Sequence, residues 1–239
     1  MTAMWVMIAQ GIGGILSLVF AYLWYASEKN VTAIESTETT RIGDIAGEGY
    51  HEVKGIVRCR SPLTAPRCND EVVYYHLEVT QRYRETYRDD TGEVQTRTSS
   101  RTIQDDAKWC KFSIEDESGD IHVVPNGAQF HGFLVHSRDY SGNSLGGTFM
   151  ASSGEEVLQT LERVRAIPVD KEIYALGFTR EGEEGLILTV DSDKGRPFIL
   201  STQSEEELTA TENSSATWYM ILTFVSGLAA LYPFLKHLR

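Results

Sequence analysis

The chain has 239 residues, with 34 Asp and Glu against 22 Lys and Arg, a net charge of −12 and a pI near 5.0. That balance excludes a general nucleic-acid binder, which needs surplus Lys and Arg to displace the counterions of phosphates, and it suits a halophilic source as well as an ordinary acidic domain. Three cysteines (Cys59, Cys68, Cys110) with no CxxC give no support to a zinc finger or RING.

Residues 3–26 carry no charge and a single Gln. No Lys or Arg precedes them, and Trp24 and Tyr25 stand where a signal peptidase needs small residues, so they read as a transmembrane anchor. Residues 217–235 are also uncharged and read as a second span. At about 1.5 Å per residue, the 18 residues from Trp218 to Leu235 reach close to the thickness of a hydrocarbon core. Trp5, Trp24, Tyr25, Trp218 and Tyr219 suit membrane interfaces. Gly11, Gly13 and Gly14 form a small-residue patch that either meets Ser226, Gly227, Ala229 and Ala230 of the second span or faces lipid. Lys236, His237 and Arg239 after the second span place both termini in the cytoplasm and the region between the spans outside.

Residues 27–40 lack periodicity and read as a linker, and 41–47 as one helical turn, so 27–50 precede the domain proper. Residues 52–58 alternate as a strand, 61–70 as a loop with two Pro, and 71–88 as a long strand with Val73, Tyr75, Leu77 and Val79 on its core face. Asp89-Asp90-Thr91-Gly92 turns the chain into a returning strand over 93–103, and the hairpin outruns its apolar part. Strands are expected over 108–115, 120–124 and 128–136, with turns at 116–119 and 125–127. After a flexible loop over 141–147, Ser153 and Glu156 form a capping-box pattern, and Val157, Leu158, Leu161 and Val164 predict a helix ending at Pro168. Strands over 172–179, 185–190 and 197–201 and a short acidic helix over 204–209 complete a domain spanning 51–211. The expected fold is α+β and mostly β: a small barrel-like (OB-like) domain between two transmembrane helices, followed by a tail over 236–239.

Taken together these residues resemble the GIDE, or "beside a membrane", domain family, found in the mitochondrial ubiquitin ligase MULAN/MAPL and in prokaryotic relatives. The resemblance rests on Gly55 in the entry strand, Pro66 and Cys68 after it, Tyr75, and Trp109 with Phe112-Ser113-Ile114-Glu115-Asp116 and Gly119. It continues through Val123 to Gly127, Gly177, and Phe198 to Ser201. It implies a membrane hairpin with an extracytoplasmic domain, carries no catalytic residues, and gives these motif residues a structural role. In eukaryotic relatives a cytosolic RING follows the second span. Only Lys236–Arg239 follow it here, so ligase activity is not expected of these residues alone.

No GxxxxGK[ST], GxSxG or HExxH occurs, and no cofactor is expected. Glu115, Asp116, Glu117 and Asp120 form either a cation site or a solvated turn, with the turn preferred. His122, His131 and His136 would have to converge to bind metal, so they read as surface residues. Cys68 lacks a base that would make it a nucleophile. A Cys59–Cys68 disulfide and free thiols both stay open. The anomaly is Arg82, Arg84 and Arg88 with Arg97 and Arg101 on the returning strand, a basic hairpin in an acidic chain. It could hold anionic head groups or an acidic partner, or simply be paired by neighbouring carboxylates. The function expected is binding beside the membrane, with lipids, other membrane proteins or a small ligand as partners. An E3 ubiquitin-transferase role by family is the alternative.

Overall fold

The computed structural model describes residues 2–141, 155–183 and 185–237, apart from the side chains of 2–10, 229 and 231–237. Two long helices, α1 (Thr2–Ser36) and α2 (Glu205–His237), run beside each other and flank a β-rich body. The body begins with β1 (Gly49–Arg58), β2 (Leu63–Thr64), β3 (Glu71–Arg88), β4 (Val94–Trp109), β5 (Phe112–Asp116) and β6 (Gly119–Val123). It continues with β7 (Gln129–His131), β8 (Phe133–Ser141), β9 (Glu155–Pro168), β10 (Glu172–Gly182), β11 (Gly185–Thr189) and β12 (Ile199–Ser201).

Five strands close a barrel in the order β1-β5-β6-β11-β10, with β10 pairing back onto β1 from Gly49↔Thr179 to Ile56↔Glu172. Every contact is antiparallel except β6–β11, which is parallel. Counting only barrel strands, the order is 1-2-3-5-4, as in an OB-like barrel, so the expected closure is found. Strict alternation makes it possible: Val53 and Val57 of β1, Ile114 of β5, Ile121 and Val123 of β6, and Ile173 and Ala175 of β10 all lie in one buried cluster. β10 is apolar on both faces because Tyr174 and Leu176 point outward and meet Ile34 of α1, Ile199 and Leu208 of α2.

The two longest barrel connections leave the barrel and pair with each other. Residues 59–111 supply β2, β3 and β4, and residues 124–171 supply β7, β8 and β9. They form a curled antiparallel sheet in which β3 lies between β4 and β9, with β8 beyond β9. Gly132 separates β7 from β8, since a Cβ there would stand 2.7 Å from the Ala166 carbonyl oxygen.

Several expectations are corrected. Residues 157–168 form a strand, not a helix. Period-2 positions Thr160, Glu162, Val164 and Ala166 are buried, and β9 is paired on both sides. Ser153 of the expected capping box lies outside the described residues. The capping box that forms is Ser204/Glu207: the Glu207 N–H donates to Ser204 Oγ (3.2 Å), and the Ser204 N–H donates to Glu207 Oε2 (3.4 Å). It starts α2, so the short acidic helix and the second apolar stretch are one helix. The linker over 27–40 is helical to Ser36, because Ser27, Asn30, Val31 and Ile34 form an i, i+3, i+4, i+7 stripe buried against the body. Polar members hid that stripe. The strand expected over 108–115 is broken between Trp109 and Phe112, and the hairpin's returning strand runs on to Trp109.

Gly13 lies against α2, where an added Cβ would stand 3.2 Å from the Ala230 Cβ and 3.4 Å from the Ser226 carbonyl oxygen, while Ser17 Oγ donates to the Thr223 carbonyl (3.2 Å). Of the three expected glycines, Gly13 therefore meets the second helix, and Gly11 and Gly14 have nothing within 4 Å of an added Cβ. Among the described residues no helix is long and apolar enough to cross a membrane. The expected insertion between two transmembrane helices is thus not established by the structure. The described residues of both apolar stretches do lie on the paired helices.

Candidate functional site

The richest polar assembly lies where the helices meet the barrel. Asn30 Nδ2 donates to Gln129 Oε1 (3.0 Å), fixing α1 to the start of β7. Glu52 points out of the barrel, because its neighbours Val53 and Val57 point in, and it is fully buried under the helices. The Tyr174 hydroxyl donates to Glu52 Oε2 (2.9 Å), Thr39 Oγ1 donates to Oε1, and Lys54 Nζ lies 3.3 Å from Oε1. Lys54 also donates to Glu205 (2.8 Å) in the first turn of α2. Burial lowers the Lys54 pKa, but hydrogen bonds and charge from Glu205 and Glu52 outweigh it and leave it raised. Burial, then the Glu52 charge, pushes the Tyr174 hydroxyl well above its ordinary range. The start of α2 and the segment just after α1 are thereby tied to one buried carboxylate.

Beside this network α1 and the barrel enclose an open cavity of about 820 Å³. Arg196 and Pro197, at the end of the turn that begins at Asp191, line it opposite α1. Asp191 Oδ1 accepts the N–H groups of Asp193 (3.2 Å) and Lys194 (3.1 Å), and Gly195 closes the turn with φ of +57°. Arg196 Nε donates to Asp191 Oδ2 (2.5 Å), and its guanidinium lies 4.2 Å over the Tyr50 ring. Burial pushes the Asp191 carboxyl up, but the Lys194 N–H, Arg196 and the Asp193 N–H together hold it below the usual carboxylate range. The Tyr50 hydroxyl donates to the Pro197 carbonyl (2.5 Å), and Lys29 Nζ donates across the cavity to the Gly195 carbonyl.

The basic hairpin is split by strand alternation. Arg97 and Arg101 share the concave face of the curled sheet with Gln81, while Arg82 and Arg84 lie on the other face. Arg97 donates to Glu85 (Nε, 2.6 Å), Arg101 to Glu155 (2.9 Å) and Gln81, and Arg84 to Glu156 (3.2 Å). Arg88 donates to the Gly92 carbonyl (3.4 Å), and Arg82 has no ion-pair partner among the described residues. The hairpin's own Asp89 caps its turn through Thr91 and Glu93 instead.

On the same concave face Glu162 is 1% exposed. It accepts from Arg67 (2.6 Å) and the Tyr140 hydroxyl (3.2 Å), with His136 Nε2 at 3.7 Å. Gln81 is fully buried and its Nε2 has no hydrogen-bond partner among the described residues.

Asp116 is a turn staple. Its Oδ1 accepts from Ser118 and Gly119, and its Oδ2 from the Ile42 N–H (2.9 Å). Glu115 pairs with Arg58 (2.6 Å). No group of three or more His, Cys, Asp or Glu among the described residues could hold a metal ion, so His122, His131 and His136 do not converge. Cys59 lies 3.7 Å from Cys110, sulfur to sulfur, rather than beside Cys68, which packs with Ala65 and Tyr75. A two-zinc RING needs clustered thiolates and imidazoles. The described residues do not supply them.

The family-motif residues are mostly packing positions. Gly55 lets β5 approach, since a Cβ there would stand 2.5 Å from the Glu115 carbonyl oxygen. Gly177 makes room for the Phe198 ring. Phe112, Tyr75 and Ser201 are buried, Trp109 is exposed, and Gly119 and Gly127 occupy turns. Pro66 lies in the loop that covers the concave face. Sequence reasoning missed the cavity residues Lys29, Tyr50 and Arg196, and the buried Glu52, Glu162 and Gln81. The separations involved, 29 to 195 and 52 to 174, leave no local signal.

A family model described as GIDE, E3 ubiquitin ligase, matches residues 82–233 of the chain. No curated protein and no solved structure matches it.

Proposed function

The chain belongs to the GIDE family, an E3 ubiquitin ligase-related family, and from that membership we propose that it is a two-pass membrane protein whose barrel works as a binding module at the bilayer surface. One observation carries the reading. The paired helices turn large apolar side chains to their outside: Ile15 is 64% exposed, Leu18 73%, Phe224 66% and Leu228 62%. A collar of that kind is costly in water, at about 25 cal/mol per Å² of apolar surface, and costs nothing in hydrocarbon. Tyr22, Trp24, Tyr25 and Trp218 lie toward the end nearest the barrel, where interfacial aromatics belong. Both helices run without a break from the collar to the barrel, so the module is held against the membrane by rigid stems. Lys236 and Arg239 favour cytoplasmic termini and an extracytoplasmic barrel. The cavity beside α1 opens just beyond the collar and is the binding site in this reading. Ubiquitin transfer is the family's description; the module's part in it would be recognition rather than chemistry.

Expressed full-length, the protein should stay in the membrane pellet through an alkaline carbonate wash, and a fluorescent reporter after Arg239 should report a cytoplasmic terminus. Release into the wash would defeat the membrane reading. A dark reporter in an intact membrane fraction would defeat the orientation.

A further inference from the structure

We propose that the cavity between α1 and the barrel is a headgroup site for a phospholipid bearing a polyol phosphate, an inositol or sugar phosphate rather than a choline or serine. The inference rests on the membrane reading above, which puts the cavity at headgroup depth.

The cavity follows one face of α1. Tyr25, Glu28, Lys29, Thr32 and Ser36 line it at helical spacings of three and four. From Tyr25 to Ser36 that face is about 16 Å long at roughly 1.5 Å per residue. A volume of about 820 Å³ is far more than an ethanolamine or choline group fills. Two cations line it, Lys29 and Arg196. Lys29 spends one of its three donors on the Gly195 carbonyl, and the next residue, Arg196, spends only Nε on Asp191. Arg196 is held in place by Asp191 and by the Tyr50 ring, so its terminal nitrogens are fixed without a hydrogen-bond partner among the described residues. Together the two suit a phosphate, the acceptor for which a fixed guanidinium and an ammonium are matched.

The rest of the lining accepts. Thr32 Oγ1 donates to the Glu28 carbonyl (2.8 Å), Thr37 Oγ1 to the Ala33 carbonyl (2.7 Å) and Thr40 Oγ1 to the Glu38 carbonyl (3.3 Å). With their protons committed, these hydroxyl oxygens present lone pairs, as do the carboxylates of Glu28 and Glu38. A row of acceptors asks for several donors along its length. Adjacent hydroxyls on a ring provide them, whereas a single ammonium answers one carboxylate. The Tyr25 ring adds a flat apolar face of the kind a sugar ring covers.

The test uses the full chain purified in detergent and freed of lipid. It is titrated with short-chain phosphatidylinositol, phosphatidylserine, phosphatidylcholine and soluble glycerophosphoinositol, with binding followed calorimetrically. Saturable binding of phosphatidylinositol, at least tenfold tighter than phosphatidylserine or phosphatidylcholine, is the expected result. Lys29→Gln should weaken it about tenfold, while Ser36→Val should weaken phosphatidylinositol and leave phosphatidylserine unchanged. The thermal melt of Ser36→Val should match the parent, because Ser36 is exposed on α1, so its effect on phosphatidylinositol reads the site itself, while Lys29→Gln also gives up the hydrogen bond to Gly195 and is read against it. Equal binding of phosphatidylserine would overturn the polyol assignment. Glycerophosphoinositol binding as tightly as the lipid would overturn a lipid source. No saturable binding in a protein that survives carbonate extraction would defeat the site while leaving the membrane reading intact. Binding retained in a protein that carbonate releases would defeat the membrane reading alone.

Discussion

The barrel and the curled sheet beside it are built by the same alternation rule and fill their interiors differently. Inside the barrel Val53, Gly55 and Val57 of β1, Phe112 and Ile114 of β5, Ile121 and Val123 of β6 and Ile173, Ala175 and Gly177 of β10 are apolar or Gly. His51 and Thr179 are the polar exceptions further along β1 and β10, and Phe198 packs in at 1% exposure. The concave face of the curled sheet starts the same way, with Tyr75, Leu77 and Val79 of β3 against Val164 and Ala166 of β9. One rung further out it changes to Gln81, Thr160 and Glu162, all buried. An apolar interior is held by area and packing and needs no specific partner. A polar one is stable only as far as each donor and acceptor is matched. The barrel is therefore the stability reservoir, where lost packing costs most, and the outer half of the curled sheet depends on each polar partner being matched.

The largest test of that difference is Phe198→Ala. The ring packs on Gly177 and is fully enclosed, so its loss should cost about 3–5 kcal/mol. Denaturant titration of the detergent-solubilised chain would measure it. A loss below about 1 kcal/mol would mean the barrel is not the reservoir. Glu162→Ala comes next. It strips the partner from Arg67 and Tyr140, but Arg67 is 43% exposed and can turn to water. The expected loss is about 1–3 kcal/mol, below that of the ring. Should Glu162→Ala prove costlier than Phe198→Ala, the ranking of the two interiors would be reversed.

How much of this was readable beforehand differs between the two regions for the same reason. In the barrel most inward positions are apolar letters, so strands β1, β5, β6 and β10 follow from alternation. In β9 the inward letters are Thr, Glu, Val and Ala, while the apolar letters Val157, Leu158, Leu161 and Val164 fall at helical spacing. Periodicity therefore favoured a helix, and only pairing to β3 and β8 decides for a strand. The α1 stem failed to show for a related reason: half of its buried stripe is Ser27 and Asn30. The Asp116 turn was readable, because an Asx turn is local, four residues deep. The cavity was not, since its walls come from residues 25–40, 50 and 196–197 and meet only once the barrel has closed.

Acid should separate the regions through Asp191, on the turn that follows β11. Its folded pKa is depressed, so its contribution is fully present above the ordinary carboxylate range, near pH 4. It is lost as pH falls through the lower folded value. Asp191→Asn should therefore flatten the acid side of the stability profile and leave the neutral side nearly parallel to the parent. Asp116 is depressed as well, with burial opposed by Ser118 and by the Ile42, Ser118 and Gly119 N–H groups, so some acid slope should survive. Melting temperatures of both proteins from pH 3 to pH 7 would decide it. An unchanged slope in Asp191→Asn would remove the staple role of that turn.

The smallest effect is expected at the hairpin tip, where the curled sheet runs out of interior altogether. Arg84 pairs with Glu156 while both are about half exposed or more, and Arg82 has no ion-pair partner among the described residues. Exposed pairs of this kind contribute about 0.2–1 kcal/mol, and an unpaired surface arginine contributes less. Charge reversal of Arg82 and Arg84 together should shift stability by about 0.5 kcal/mol or less. Capture of anionic vesicles should not change either, because Arg84, Arg97 and Arg101 already face carboxylates and the chain carries a net charge of −12. Vesicle co-sedimentation at low and high salt provides the check. If the reversed variant loses capture at low salt only, the hairpin is a contact in its own right, and the membrane-facing surface extends beyond the helix–barrel junction to a second, basic patch.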